Sequence, residues 1–122
     1  MKIDLVLTSC NINEKYIEYF PIIYNLWKNS FNLEIKLILI SDEIPDNLVE
    51  FNESIILFPP LENIHSAYIS QVIRILYPAL FDNKNIMITD CDIIPISKDY
   101  FINSVDKIPN DKFICYRDAY FN

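Results

Sequence analysis

Asp90 and Asp92 stand one residue apart, directly after the apolar run Ile86-Met87-Ile88-Thr89. That run is long enough for a buried strand. On a strand successive side chains alternate faces, so Asp90 and Asp92 point one way and Cys91 the other. Two carboxylates held that close repel, and each raises the other's pKa unless a cation lies between them. At the carboxyl end of a strand, where open α/β sheets place their ligands, the expected cation is a hard divalent metal. Mg²⁺ or Mn²⁺ takes one or two protein carboxylates and completes its shell with water and phosphate oxygens. The plain alternative is a pair of strand-end acids in a solvated turn, since Asp-x-Asp is a common tripeptide. The apolar strand leading into it is what recommends the metal.

Other residue types narrow the chemistry. Glycine is absent from the 122 residues. Gly-rich phosphate cradles, both the dinucleotide fingerprint and the P-loop, are thereby excluded. A bound diphosphate has to be held by metal, side chains and helix ends. The net charge is −7, from 10 basic and 17 acidic residues, with no basic run or stripe. Nucleic acid and anionic membrane are poor partners for such a chain. Cys10, Cys91 and Cys115 are far apart, odd in number and without a C-x-x-C pair. They read as buried reduced thiols rather than a zinc site or a disulfide framework. His65 is the lone histidine, and a loop or helix-start role suits it better than a ligand role. No signal peptide and no apolar run of membrane-spanning length is seen, so a cytoplasmic protein is expected.

The elements that must position these residues follow from periodicity. Hydrophobic residues make up 52% and charged residues 22%, a globular balance, and the length suits a single domain over 1–122. Strands are expected at Ile3 to Leu7, Leu33 to Ile40, Ser54 to Phe58, the run before Asp90, and Phe113 to Tyr116. Thr8-Ser9-Cys10-Asn11 reads as a polar loop, with Asn11 or Asn13 as cap of the next helix. That helix carries Tyr16, Phe20, Ile23 and Trp27 as one apolar stripe, and Pro21 should kink or divide it. A short helix is expected from Pro45 to Phe51. Ser66 is the expected cap of a helix reaching about Phe81, with Ile69, Ile73, Leu76 and Leu80 buried and Arg74 on a more polar face with Ser70 and Tyr77. Pro78 should end or bend it. Ser97 opens a last helix to about Val105. Strands alternating with helices give the class α/β: a mostly parallel, open twisted sheet with helices on both faces, Rossmann-like in type. Thr8 to Asn11, Asp42 and Asp90 to Asp92 all fall on its carboxyl edge.

The run Arg74-Ile75-Leu76-Tyr77-Pro78-Ala79-Leu80, a polar turn, and Asn85-Ile86-Met87-Ile88-Thr89-Asp90-Cys91-Asp92 together resemble the GT-A glycosyltransferases. The closest type is the retaining family 8. Its pattern is an Arg-Leu helix, a proline and leucine, then an apolar strand ending in Asp-x-Asp. Most of the chain follows the order of that family's nucleotide-sugar-binding half, but only Arg74 to Asp92 is specific. Ile75 replaces the usual leucine and Cys91 a small residue. The resemblance implies a nucleotide-sugar donor, usually a UDP-sugar, with Mn²⁺ or Mg²⁺ held by Asp90 and Asp92. It also implies that Arg74 reaches the donor's phosphate or sugar, that Thr8, Ser9 and Asn11 line the base and ribose pocket, and that Asp42 contacts the base. The acceptor, whether sugar, protein or lipid, is not implied.

Family members are about twice this length, and their second half adds a metal ligand, commonly histidine, and most of the acceptor site. The expectation is therefore a donor-binding half that pairs with a second copy or a second polypeptide. Two other functions compete. A non-catalytic nucleotide-sugar-binding or assembly module needs only the donor half. A phosphotransferase of the haloacid dehalogenase type also has an apolar strand and Asp-x-Asp. There the motif belongs to the first strand and is followed by Thr or Gly positions, where this chain has Ile93-Ile94.

Overall fold

A computed structural model describes residues 1–116. Strands β1 (Leu5–Asn11), β2 (Glu34–Ile40), β3 (Ile55–Phe58) and β4 (Ile86–Ile88) form one sheet in the order β3-β2-β1-β4. All three pairings are parallel, and the chain is α/β with helices on both faces, as expected.

β1 differs from the sequence reading. Thr8 to Asn11, expected as a loop, continue the strand, in register from Leu5↔Glu34 to Asn11↔Ile40. The neighbouring β2 stays apolar and buried to Ile40. Its backbone groups need ladder partners, and β1 supplies them even where its own side chains turn polar.

One face of the sheet carries the larger core. Helix α1 (Glu14–Ile17) is capped by Asn13, whose side chain accepts from Lys15 N at 3.1 Å. Helix α2 (Phe20–Asn25) follows with Pro21 in its first turn, and a π-helical turn covers Leu26–Ser30. Proline thus divides the helix, as expected from its missing N–H. The buried stripe is Ile17, Phe20, Ile23 and Trp27, whereas Tyr16, expected at its head, faces outward. Trp27 stacks at 4.7 Å from Phe31 and 5.5 Å from Phe101, and Phe20 lies 5.7 Å from Phe51. Phe51 belongs to a 3₁₀ stretch, Asp46–Ser54, where a short helix was expected.

Helix α3 (Ser66–Leu76) covers the other face, laying Ile69 and Ile73 on Leu7, Ile38 and Ile40. Leu76 and Leu80, expected in its buried stripe, are 61% and 71% exposed. Ile69, Ser70, Ile73 and Tyr77 are instead the residues that meet the sheet. After Leu76 the chain tightens into a 3₁₀ turn, Tyr77–Leu80, at Pro78.

Helix α4 (Lys98–Phe101) is capped by Ser97 and continues as a 3₁₀ turn, Asn103–Val105. The strand expected at Phe113 to Tyr116 is not formed. Ile114 and Tyr116 pack on the core while Phe113 is 93% exposed, without a ladder neighbour. Tyr116 instead donates its hydroxyl to Phe101 O at 2.7 Å. Left-handed backbone falls on Asn32, Asn63 and Asn83, with φ of 55°, 63° and 55°. Asparagine tolerates that region best after glycine, which this chain lacks. Among the described residues no helix is long and apolar enough to cross a membrane.

Candidate functional site

The end of β1 meets the first two turns of α3, and the turn after β4 meets Arg74 in the last turn of that helix. Ser9 and Asn11 project from β1 toward that helix. Ser9 Oγ donates to Ser70 O, and Asn11 Nδ2 donates to Ser66 Oγ at 3.0 Å. Beyond Ile88, Thr89 N donates to Leu7 O at 3.1 Å, so pairing with β1 runs one residue past the strand. The chain then turns, with Ile93 N donating to Asp90 O at 3.3 Å. Asp90 to Asp92 therefore sit in a turn rather than in a strand. The turn keeps the expected alternation: Asp90 and Asp92 are exposed and Cys91 is buried.

A cleft of about 300 Å³ opens above these ends. Asp90 and Asp92 form one wall, Arg74 with Gln71 and Ser70 the other, and Ser9, Asn11 and Cys10 the floor. Arg74 Nη1 is ion-paired with Asp90 Oδ1. The arginine side chain is only 19% exposed and the carboxylate 52%. A half-buried guanidinium lining an open cleft is placed for anionic oxygens, which its planar fork takes in pairs. A second cleft, about 430 Å³, lies along the same edge and is lined by Asn11, Ser41, Asp42, Glu43 and Pro60 among others. Asn11 belongs to both clefts, so they adjoin. Ser41 fixes the loop after β2: its Oγ donates to Glu43 O at 2.6 Å and accepts from Glu43 N at 3.1 Å.

Six of the seven sequence candidates thus come to one edge: Ser9, Asn11, Arg74, Asp90 and Asp92 in the first cleft, and Asp42 in the second. Thr8 does not. It is fully buried on the opposite side of β1, and its Oγ1 has no hydrogen-bond partner. Reading 8–11 as a loop put all its side chains at the pocket, whereas a strand sends alternate ones to the other face. His65 is the cap of α3, its Nδ1 accepting from Ala67 N at 3.2 Å, and Ser66 is the first helical residue rather than the cap. Tyr16 and Gln71 also line the cleft. Gln71 lies three residues before Arg74, one helical turn, and that spacing is a usable signal. Tyr16 carried none, since its spacing fits an apolar stripe equally well.

Cys10 and Cys91 are both buried in the larger core and both border the first cleft. The neighbouring Cys91 thiol, with burial, pushes the Cys10 thiol far above the ordinary range.

Among the described residues no group of three or more His, Cys, Asp or Glu is placed to hold a metal ion. The acid pair therefore offers two carboxylate ligands at most. Such a set does not suit a resident, protein-caged metal. It does suit Mg²⁺ or Mn²⁺ arriving with phosphate oxygens and water, and Arg74 on Asp90 already illustrates that this wall takes a cation.

No protein-family model, curated protein or solved structure matches the chain. The structure is that of a small parallel α/β domain with an acidic, arginine-bearing cleft at the carboxyl edge of its sheet.

Proposed function

We propose that this chain is the donor-binding domain of a glycosyltransferase, taking a nucleotide sugar, UDP-linked by preference, with Mn²⁺ or Mg²⁺. The observation that carries the reading is the convergence of Asp90, Asp92 and Arg74 on one cleft that adjoins a second through Asn11. In this reading the diphosphate lies in the first cleft and the nucleoside extends into the second, toward Asp42. Asp90 and Asp92 hold the divalent ion, which supplies positive charge to the phosphates and eases departure of the nucleotide. Arg74 leaves Asp90 for a phosphate or sugar oxygen. Ser9 and Asn11, tied to α3 by their hydrogen bonds, fix the floor against which the donor rests. Reduced cysteines accord with a cytoplasmic setting.

The motif strand, β4, is at the sheet edge and follows three other strands. That order favours the glycosyltransferase reading over a phosphotransferase with an aspartate nucleophile on its first strand. The test is calorimetric titration of UDP with Mn²⁺, with Mg²⁺ and with EDTA. Metal-dependent affinity is expected. Equal affinity in all three removes the metal role of Asp90 and Asp92, and hydrolysis of p-nitrophenyl phosphate instead supports the phosphotransferase.

A further inference from the structure

Helix α3 has more apolar surface than the sheet can use. At about 100° per residue its positions fall into three rows, roughly a third of a turn apart. Ile69 and Ile73 form the row laid on the sheet. Ala67, Gln71 and Arg74 form the row that lines the first cleft. The third row, Tyr68, Val72, Ile75 and Leu76, is apolar as well and meets solvent: Tyr68 is 62% exposed, Ile75 65%, and Val72 is half-buried. Leu80, in the 3₁₀ turn that follows, is exposed too and adds to that surface. A helix with a free face normally carries polar residues there. These side chains present on the order of 500 Å² per copy, as much as the patches that mark interaction sites.

Charge and symmetry name the occupant. Residues 63–81 contain no Asp or Glu, although the chain has 17, and their one Lys or Arg is Arg74, which lines the cleft and is ion-paired with Asp90. Two copies of a chain carrying −7 repel each other on approach. The third row of α3 lets them touch without setting carboxylate against carboxylate, and a basic partner finds no acid on it. The row is also apolar at both ends. A twofold axis through Val72 lays Tyr68 of each copy on Leu76 of the other, with Val72 on Val72 and Ile75 beside them, every contact made twice. We propose that two copies of this chain associate back to back through Tyr68, Val72, Ile75 and Leu76 of α3, with the ligand clefts of each copy left open. Two such surfaces bury about 1,000 Å² in all, below the roughly 1,200 Å² at which stable complexes begin, so the dimer is a transient one with a Kd on the order of 10–100 µM.

The surface does not depend on the donor reading, and its test involves no nucleotide. Sedimentation equilibrium follows the chain from about 1 µM to about 1 mM. The expected result is a mass that rises reversibly from one chain toward two. Association should tighten several-fold between low salt and roughly 0.3 M, as the repulsion between acidic copies is screened. Ile75→Glu, at an exposed position, should weaken the dimer roughly tenfold or more with circular dichroism unchanged. Ile96→Glu adds the same charge at an 89% exposed residue off this helix and should weaken it far less. A chain still monomeric at about 1 mM overturns the proposal, and binding of that monomer to phosphatidylcholine vesicles would assign the stripe to a lipid surface. Equal losses for Ile75→Glu and Ile96→Glu overturn it too, since added repulsion and not the stripe would then be responsible. So does a dimer that Ile75→Glu leaves intact or that salt dissociates. Leu76→Glu repeats the test should Ile75→Glu fail to fold.

Discussion

Replacing Arg74 with glutamine should move two affinities in opposite directions. In the free protein the guanidinium occupies Asp90, the carboxylate a divalent ion needs. The pair is half open to water, the acid side chain being 52% exposed. Solvent screening then limits it to about 0.5–1 kcal/mol. Removing the guanidinium returns that sum to an incoming ion, so Mn²⁺ affinity without nucleotide should rise about two- to fivefold. With nucleotide bound, the same substitution deletes a charge-assisted hydrogen bond worth about 1.5–3 kcal/mol, and UDP affinity at saturating Mn²⁺ should fall tenfold or more. The loss of fold stability is the same small ion-pair figure, a few degrees in Tm for a chain of this size. Calorimetry with Mn²⁺ alone and then with UDP reads both signs. Arg74→Lys keeps the charge, so it should lower UDP affinity without the gain for Mn²⁺. If Arg74→Gln leaves both affinities unchanged, Arg74 is a surface residue with an incidental partner. A drop in Mn²⁺ affinity would refute the competition, since it would mean that the arginine helps to shape the acid site.

Asp92→Asn should abolish most metal-dependent UDP binding while changing stability by no more than about 0.5 kcal/mol, because the side chain is exposed; parallel melting and titration decide it. Thr8→Val should raise stability by about 1 kcal/mol, since it removes a buried hydroxyl that has no partner, and should leave UDP affinity alone. A weakened UDP affinity would put Thr8 back in the site. Trp27→Ala should cost about 3–5 kcal/mol, measurable by urea unfolding, because Trp27 is fully buried among Phe31 and Phe101.

Periodicity made much of the fold legible, and tertiary contact decided the rest. β2, β3 and β4 are apolar runs bounded by turn residues, and each lies where the runs put it. β1 was read short because Thr8 to Asn11 look like a loop when β2 is not beside them to bond their backbone. The stripe on α3 failed at Leu76 and Leu80 for a related reason. Helical spacing gives the relative angle of two residues but not which angle faces the sheet, and here Ile69 and Ile73 face it while Leu76 and Leu80 do not. Phe113 to Tyr116 alternate as a strand would, yet a strand also needs a neighbour, and alternation alone does not supply one.

The grouping of most candidate residues on one edge was legible because those residues are constrained jointly. A chain without glycine has no backbone cradle for phosphate, so any diphosphate must be met by cations. Among the described basic residues, Arg74 is the one that joins the acid pair in the cleft. Spacing alone placed Asp90 and Asp92 side by side, and they remain so although the strand has given way to a turn. Cys91 is buried in the larger core while its two neighbours are exposed, and a shift of one residue in the β1–β4 pairing would send Asp90 or Asp92 inward in its place. An unpaired carboxylate there is costly, so the burial of Cys91 and the exposure of its neighbours hold each other in place.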